Sequence, residues 1–387
     1  MALTARRAAE IQPFEVMDVL ARAHELEAAG RRVLHMEIGE PDFTAPAAVV
    51  EAGVRALREG RTAYTATLGL RELRESIAQH YASRFGAAVP PERVVVSAGA
   101  SGGLLTVAAL YFEAGDEVLV PDPGYPGYRH FVRAFEGRAR ALAVSAVHAF
   151  QPTLAMVRDA WSARTKALIL GSPSNPTGTL IPRSELEQIA RFIAERGGVL
   201  IVDEIYQGLV YGSEPWTAVE LPGEVVIVNS FSKYFCMTGW RLGWVVLPAA
   251  AVRGFEKLAQ HLFISAPAAA QYAACAAFSD DSIRVLEERR REFARRRDVL
   301  LPALRSAGLG VPAEPHGAFY IYADCGRDAR DYCLRLLERE AVAATPGVDF
   351  GANGTSHHVR FAYTRAMADI EEASERIRRF AACAPSA

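Results

Sequence analysis

The chain has 387 residues, half of them hydrophobic and 23% charged, so it can bury a large core and wholesale disorder is excluded. Lys plus Arg number 43 and Asp plus Glu 45, a net charge of −2. That balance gives no support to a nucleic-acid binder, but it allows a local basic pocket for one small anion. At roughly 150 residues per domain, two or three domains fit.

Five cysteines, Cys236, Cys275, Cys325, Cys333 and Cys383, show no CxxC spacing. They form neither a disulfide framework nor a zinc pattern. The opening MALTARRAAEIQPF has no apolar signal core, and no run of about 18 apolar residues occurs. A cytoplasmic protein without a membrane span is expected.

In chain order, Val16, Val19, Leu20 and Leu26 predict a helix over 14–30, stopped by Gly30. A short apolar stretch at 33–38 precedes the turn-rich GEPDFTAP at 39–46. Helices are predicted over 47–59 and 70–85. From Arg93 onward, short apolar runs alternate with helical patterns. Strands are predicted at 94–97, 117–120, 139–144, 167–170, 199–202, 225–229 and 242–247. Most are continuously apolar, as in strands buried on both faces. The helical stretches between them imply crossovers and a mainly parallel sheet. A charged helix follows at 282–307; its EERRREFARRRD segment is expected to be a solvated face laced with opposite charges. Strands at 318–322 and 359–362, with helices at 328–340 and 365–383, form a second, smaller α/β pattern.

The most specific motif is SFSKYFCMTGWRLG, Ser230 to Gly243, directly after the apolar run VVIVN. Lys233 sits among Tyr234, Phe235 and Met237, where desolvation disfavours an ammonium and favours an imine-forming amine. Ser230, Ser232 and Arg241 supply hydroxyls and a guanidinium suited to a phosphate. Asp203, in VDEIY, ends a buried strand, where open α/β sheets bind ligands. A protonated heteroaromatic nitrogen would partner it, although taken alone Asp203 also fits a helix cap. Tyr206 lies three residues on.

Asn175 lies in GSPSNPTG, where its amide suits a phenolate oxygen or simply a turn. SAGASGG, Ser97 to Gly103, joins a strand to a helix and suits a phosphate at the helix start; taken alone, a nucleotide fits equally. Tyr125 in PDPGYPGY suits stacking on a planar ring or core packing. Arg360, inside a short strand, needs an anion, either a ligand carboxylate or a structural salt bridge.

Taken together and in order, GEPDF, the Tyr64 segment AYTATLGLRELRESIA, SAGAS, GYPGY, SNPTG, DEIY, SFSK and the Arg360 strand resemble the class I/II aminotransferases of the fold-type I pyridoxal phosphate enzymes. The likeness spans about residues 14–379. The resemblance implies a large α/β domain with a mainly parallel seven-stranded sheet flanked by helices, plus a smaller α/β domain from both chain termini. The expected segments are 1–45 and 291–387 for the small domain and 46–290 for the large one.

It further implies pyridoxal 5'-phosphate as cofactor and Lys233 as the Schiff-base lysine and proton shuttle. Asp203 would pair with the ring nitrogen, Asn175 and Tyr206 with the ring oxygen, and Tyr125 would stack on the ring. Gly99, Ala100, Ser101, Ser230, Ser232 and Arg241 would hold the phosphate. Arg360, assisted by Gly39, would clamp the substrate carboxylate. Tyr64 would reach the neighbouring site of a homodimer. The implied reaction is ping-pong transamination between an amino acid and a 2-oxo acid such as 2-oxoglutarate; the nearest alternative is another enzyme of the same scaffold, such as a β-lyase. Phe14, Ile38 and Ile264 are apolar, so a neutral or broad donor pocket is expected.

Overall fold

The computed structural model describes residues 4–11 and 13–382. Cys383, and with it the last residue of the expected C-terminal helix, lies outside them. No helix among the described residues is long and apolar enough to cross a membrane.

The strands run β1 Leu34–His35, β2 Val94–Ser97, β3 Glu117–Asp122, β4 Arg138–Ala143, β5 Thr165–Gly171, β6 Val199–Asp203, β7 Glu224–Ser230, β8 Gly243–Val246, β9 Tyr320–Asp324, β10 Val342–Ala343, β11 Thr345–Pro346 and β12 His358–Ala362. β2 to β8 form one seven-stranded sheet, ordered β2-β8-β7-β6-β5-β3-β4. β8 runs antiparallel to both its neighbours; the remaining pairs are parallel.

The continuous apolar runs are explained by burial on two sides. In β6, Val199 and Ile201 join Leu104 and Val107 of the helix Gly99–Tyr111, while Leu200 and Val202 join Leu186 and Ile189 of the helix Arg183–Ala194. Successive side chains point to opposite faces, so both faces need apolar residues. Each fully buried Val, Leu or Ile contributes about 1.5–3 kcal/mol. β4 departs from this rule. Its sequence RARALA is mostly exposed, because it forms the sheet's edge.

A three-stranded antiparallel sheet, β11-β12-β9, and a parallel pair, β1 with β10, gather the chain's two ends. A short helix, Arg6–Glu10, comes first; the helix expected at 14–30 is Val16–Ala28, shorter than expected, and Asp349 Oδ1 accepts the N–H of Glu15 at its start, 3.1 Å. The strand expected at 318–322 begins instead at Tyr320. Ala318 has φ +56, and its N–H and C=O bond Leu209 and Tyr211 rather than the sheet.

The charged helix runs Asp280–Ser306 and does carry ion pairs at i,i+3 spacing. The expectation of a solvated face fails at Arg296, which is buried. Its guanidinium pairs with Asp42 at 2.8 Å and lies against the rings of Phe43 and Phe293, so the helix grips the GEPDF loop.

Candidate active site at the strand ends

β2, β3, β5, β6 and β7 all end at one edge of the sheet, and β8 begins there beside Ser230. The SAGAS, GYPGY, SNPTG, DEIY and SFSK motifs each follow one of these ends. They enclose a cleft of about 480 Å³ whose wall includes Gly39, Ala100, Ser101, Tyr125, Asn175, Asp203, Tyr206, Ser230, Ser232, Lys233 and Arg241. Gly99 packs directly behind Arg241.

Lys233 Nζ donates to the Gly39 carbonyl at 2.7 Å. The side chain keeps some exposure to the cleft, but protein crowds the amine and desolvation lowers its pKa to about 8; Arg360 and Arg241 act in the same direction, while Glu40 opposes them. A sizeable unprotonated fraction near neutral pH makes it a competent nucleophile.

Asp203 is buried at the end of β6. Its Oδ2 accepts from the Tyr128 hydroxyl at 2.9 Å and its Oδ1 from the N–H of Ile205 at 3.1 Å. Burial raises its pKa to about 6 against those hydrogen bonds. No helix follows it, so the capping alternative is replaced by a local turn bond. Tyr206 Oη lies 2.8 Å from Tyr320 Oη.

The helix Gly99–Tyr111 aims its first turn at the same cleft. Gly99 has φ +72, and a Cβ there would lie 2.6 Å from Arg241 Nη2. Only glycine lets the guanidinium come so near the helix start. The Ser230 hydroxyl donates to Ser232 Oγ at 2.9 Å, and Arg241 Nη1 to the Thr238 carbonyl at 2.9 Å. A helix terminus, hydroxyls and a guanidinium make a phosphate-sized anion site.

Arg360 stands behind the cleft wall rather than in it. Its Nη1 donates to Asn175 Oδ1 at 3.0 Å and its Nη2 to the Glu37 carbonyl at 2.5 Å and Thr345 Oγ1 at 3.2 Å. Its guanidinium lies over the rings of Tyr320 and Phe350. Among the described residues no carboxylate pairs with it, and its Nε is buried without a partner. The salt-bridge alternative therefore fails: this is a buried cation held only by neutral groups.

Three expected residues are not brought to the cleft of the single chain. Tyr64 is 79% exposed, and Phe14 and Ile264 are also exposed; of the three apolar candidates, only Ile38 lines the wall. Two residues escaped the sequence reading. Tyr128 was visible in GYPGY, three residues after Tyr125, and Tyr320 within the continuously apolar run YIYA of β9. Their hydroxyl partners lie 75 and 114 residues away in the chain.

The aminotransferase class I and II family model matches residues 31–377. The chain is 38% identical over 381 residues to (5-formylfuran-3-yl)methyl phosphate transaminase of Methanocaldococcus jannaschii, covering 98% of this chain and 99% of that one. It is 37% identical over 374 residues to valine–pyruvate aminotransferase of Mycobacterium tuberculosis, covering 95% and 96%. Among solved structures, aspartate aminotransferase from Thermus thermophilus with maleate superposes with a TM-score of 0.92 at 34% identity, covering 98% of this chain and 100% of that one.

Proposed function

The chain belongs to the class I and II aminotransferases, a pyridoxal phosphate-dependent family, and from that premise we propose that it moves the amino group of an L-amino acid to a 2-oxo acid, with 2-oxoglutarate as acceptor, in two alternating half-reactions. The observation that carries this reading is Arg360: a buried guanidinium without a carboxylate partner among the described residues, close enough to Lys233 to help lower the pKa of its amine. An α-carboxylate satisfies the first and an exchangeable carbonyl the second.

The residues present fit pyridoxal 5'-phosphate. The Gly99–Arg241 contact forms a cradle that a Cβ would fill, and Asp203 is a buried carboxylate with oxygen lone pairs to spare. When bound, the cofactor supplies an aldehyde for amine exchange and a ring that draws electrons from the substrate Cα.

The chain's own groups do the rest. Lys233 Nζ would hold the cofactor at its aldehyde and, as a free amine, would move a proton at the substrate Cα. Asp203, fixed by Tyr128, would pair with the ring nitrogen and favour its protonated form. Asn175 and Tyr206 hold the ring oxygen, and Tyr125 covers the ring face. Gly99, Ala100, Ser101, Ser230, Ser232 and Arg241 bind the phosphate. Arg360 and Gly39 would hold the substrate carboxylate on the side of the cleft that Lys233 faces.

The donor pocket is neutral or broad. Ile38 is apolar, and Glu40 places an acid in the wall that disfavours a second carboxylate. The enzyme works as a homodimer, with the exposed Tyr64 reaching the partner's phosphate. Segments 1–45 and 291–387 close as one body on 46–290. The location is cytoplasmic.

The test is a single-turnover absorbance screen of holoenzyme against individual amino acids without an oxo acid. Stoichiometric oxo-acid release, with amino group retained on the cofactor until 2-oxoglutarate is added, supports the proposal. Release of ammonia with pyruvate, or of carbon dioxide, would instead assign a lyase or condensing enzyme.

A further inference from the structure

Tyr320 stands where three parts of the cleft meet. Its hydroxyl lies 2.8 Å from that of Tyr206, and the Arg360 guanidinium lies 4.4 Å from the centre of its ring. A Cβ on Gly39 would lie 1.9 Å from the same hydroxyl, so the phenol is wedged against the segment whose carbonyl receives Lys233 Nζ. Tyr320 belongs to β9 of the small sheet, whereas Tyr206 follows β6 of the large one. The hydroxyl pair therefore joins the two sheets at the cleft wall.

Either hydroxyl can donate in this pair. Arg360 decides between them. A guanidinium over a phenol ring withdraws electron density from it and makes its O–H the stronger donor. Arg360 lies directly on the Tyr320 ring; at Tyr206 its influence is weaker. The charged groups that reach the pair are Arg360 and Asp203. Tyr206 and Tyr320 are both buried, so each depends on the other for a partner within the protein.

We propose that Tyr320 is a positioning residue: its hydroxyl donates to Tyr206 Oη and thereby leaves the Tyr206 proton aimed into the cleft. Resting on the function proposed above, the inference assigns that proton to the cofactor's ring oxygen. Without that donation the Tyr206 oxygen loses the polarisation that strengthens its own O–H as a donor.

The test uses holoenzyme and four proteins: wild type, Tyr320→Phe, Tyr206→Phe and the double variant. Each is titrated by its visible absorbance. A ring oxygen with a poorer donor holds the proton on Lys233 Nζ more firmly, so the midpoint in Tyr320→Phe is expected to rise by about half a pH unit or more. Tyr206→Phe is expected to rise further. The double variant should match Tyr206→Phe alone, because Tyr320 acts through Tyr206. A Tyr320→Phe midpoint equal to wild type, or additive shifts in the double variant, would overturn the proposal while leaving the assignment of Lys233 intact. That assignment fails separately, through a wild-type visible band that survives Lys233→Ala.

Discussion

Tyr128 donates its hydroxyl proton to Asp203 Oδ2 across 2.9 Å, and both side chains are buried. The bond ties the helix that begins at Gly127 to the end of β6. It also restrains, without cancelling, the rise in pKa that burial imposes on the acid.

The first prediction concerns that buried charge. The Asp203 pKa rises from an ordinary 3.8 to about 6, so the folded, cofactor-free protein holds this proton more tightly than the unfolded chain. Stability therefore falls as pH rises between those values, and the cost persists above them. Two units correspond to about 3 kcal/mol. Asp203→Asn should stabilise the cofactor-free protein by up to about that amount at pH 8 and by almost nothing below about pH 4. Urea denaturation at the two pH values reads the difference, and an equal effect at both would refute the assigned cause. The same variant should lose cofactor retention.

Lys233 gives a kinetic counterpart. Only the unprotonated amine attacks an aldehyde, and the pKa of Lys233 is lowered to about 8. Capture of pyridoxal phosphate by cofactor-free protein should therefore accelerate up to about tenfold per pH unit below that value and level off above it. Stopped-flow absorbance measures the profile. Lys233→Arg should show no capture, and a profile still climbing past pH 9 would mean that the site does not desolvate the amine.

Arg360→Ala should lower kcat/KM for α-amino acids by about 2–5 kcal/mol. Simple amines without a carboxylate should be affected much less. Arg360→Lys should not restore the rate, because an ammonium cannot reproduce the planar contact with Tyr320 and Phe350 or the forked bonds to Asn175 and Glu37. Equal losses for both substrate types would place the carboxylate elsewhere.

A fourth prediction tests the grip of the long helix on the GEPDF loop. Arg296 is buried and bonds both Asp42 and Glu292. Arg296→Ala leaves the partly buried Asp42 without its cation and removes a surface packed on Phe43. A loss of about 3 kcal/mol is expected in guanidinium denaturation. The loss should exceed that of Arg295→Ala, whose side chain is mostly exposed.

Much of this was readable in advance because it is local. β5, β6 and β7 announce themselves as continuous apolar runs, and the motifs at their ends follow directly in the chain. β10 and β11 were unreadable, since two-residue strands exist only through their partners. Arg296 looked solvated because its neighbours are charged; only the fold shows that one arginine in the run turns inward. Tyr128 and Tyr320 needed three-dimensional proximity to acquire meaning. Tyr64 is 79% exposed and reaches no cleft in its own chain, so its proposed role rests on the homodimer proposed above.

The edge strand β4 has a consequence for assembly. A bare strand edge invites another chain to add to it, and exposed charge is a common defence. β4 presents Arg138 and Arg140 along RARALA on the outer rim of the seven-stranded sheet. Extension of the sheet from one molecule into the next is disfavoured on that side. The homodimer proposed above would therefore form through other surfaces, and the exposed side chains of Leu57 and Tyr64 lie away from this edge strand in the sequence.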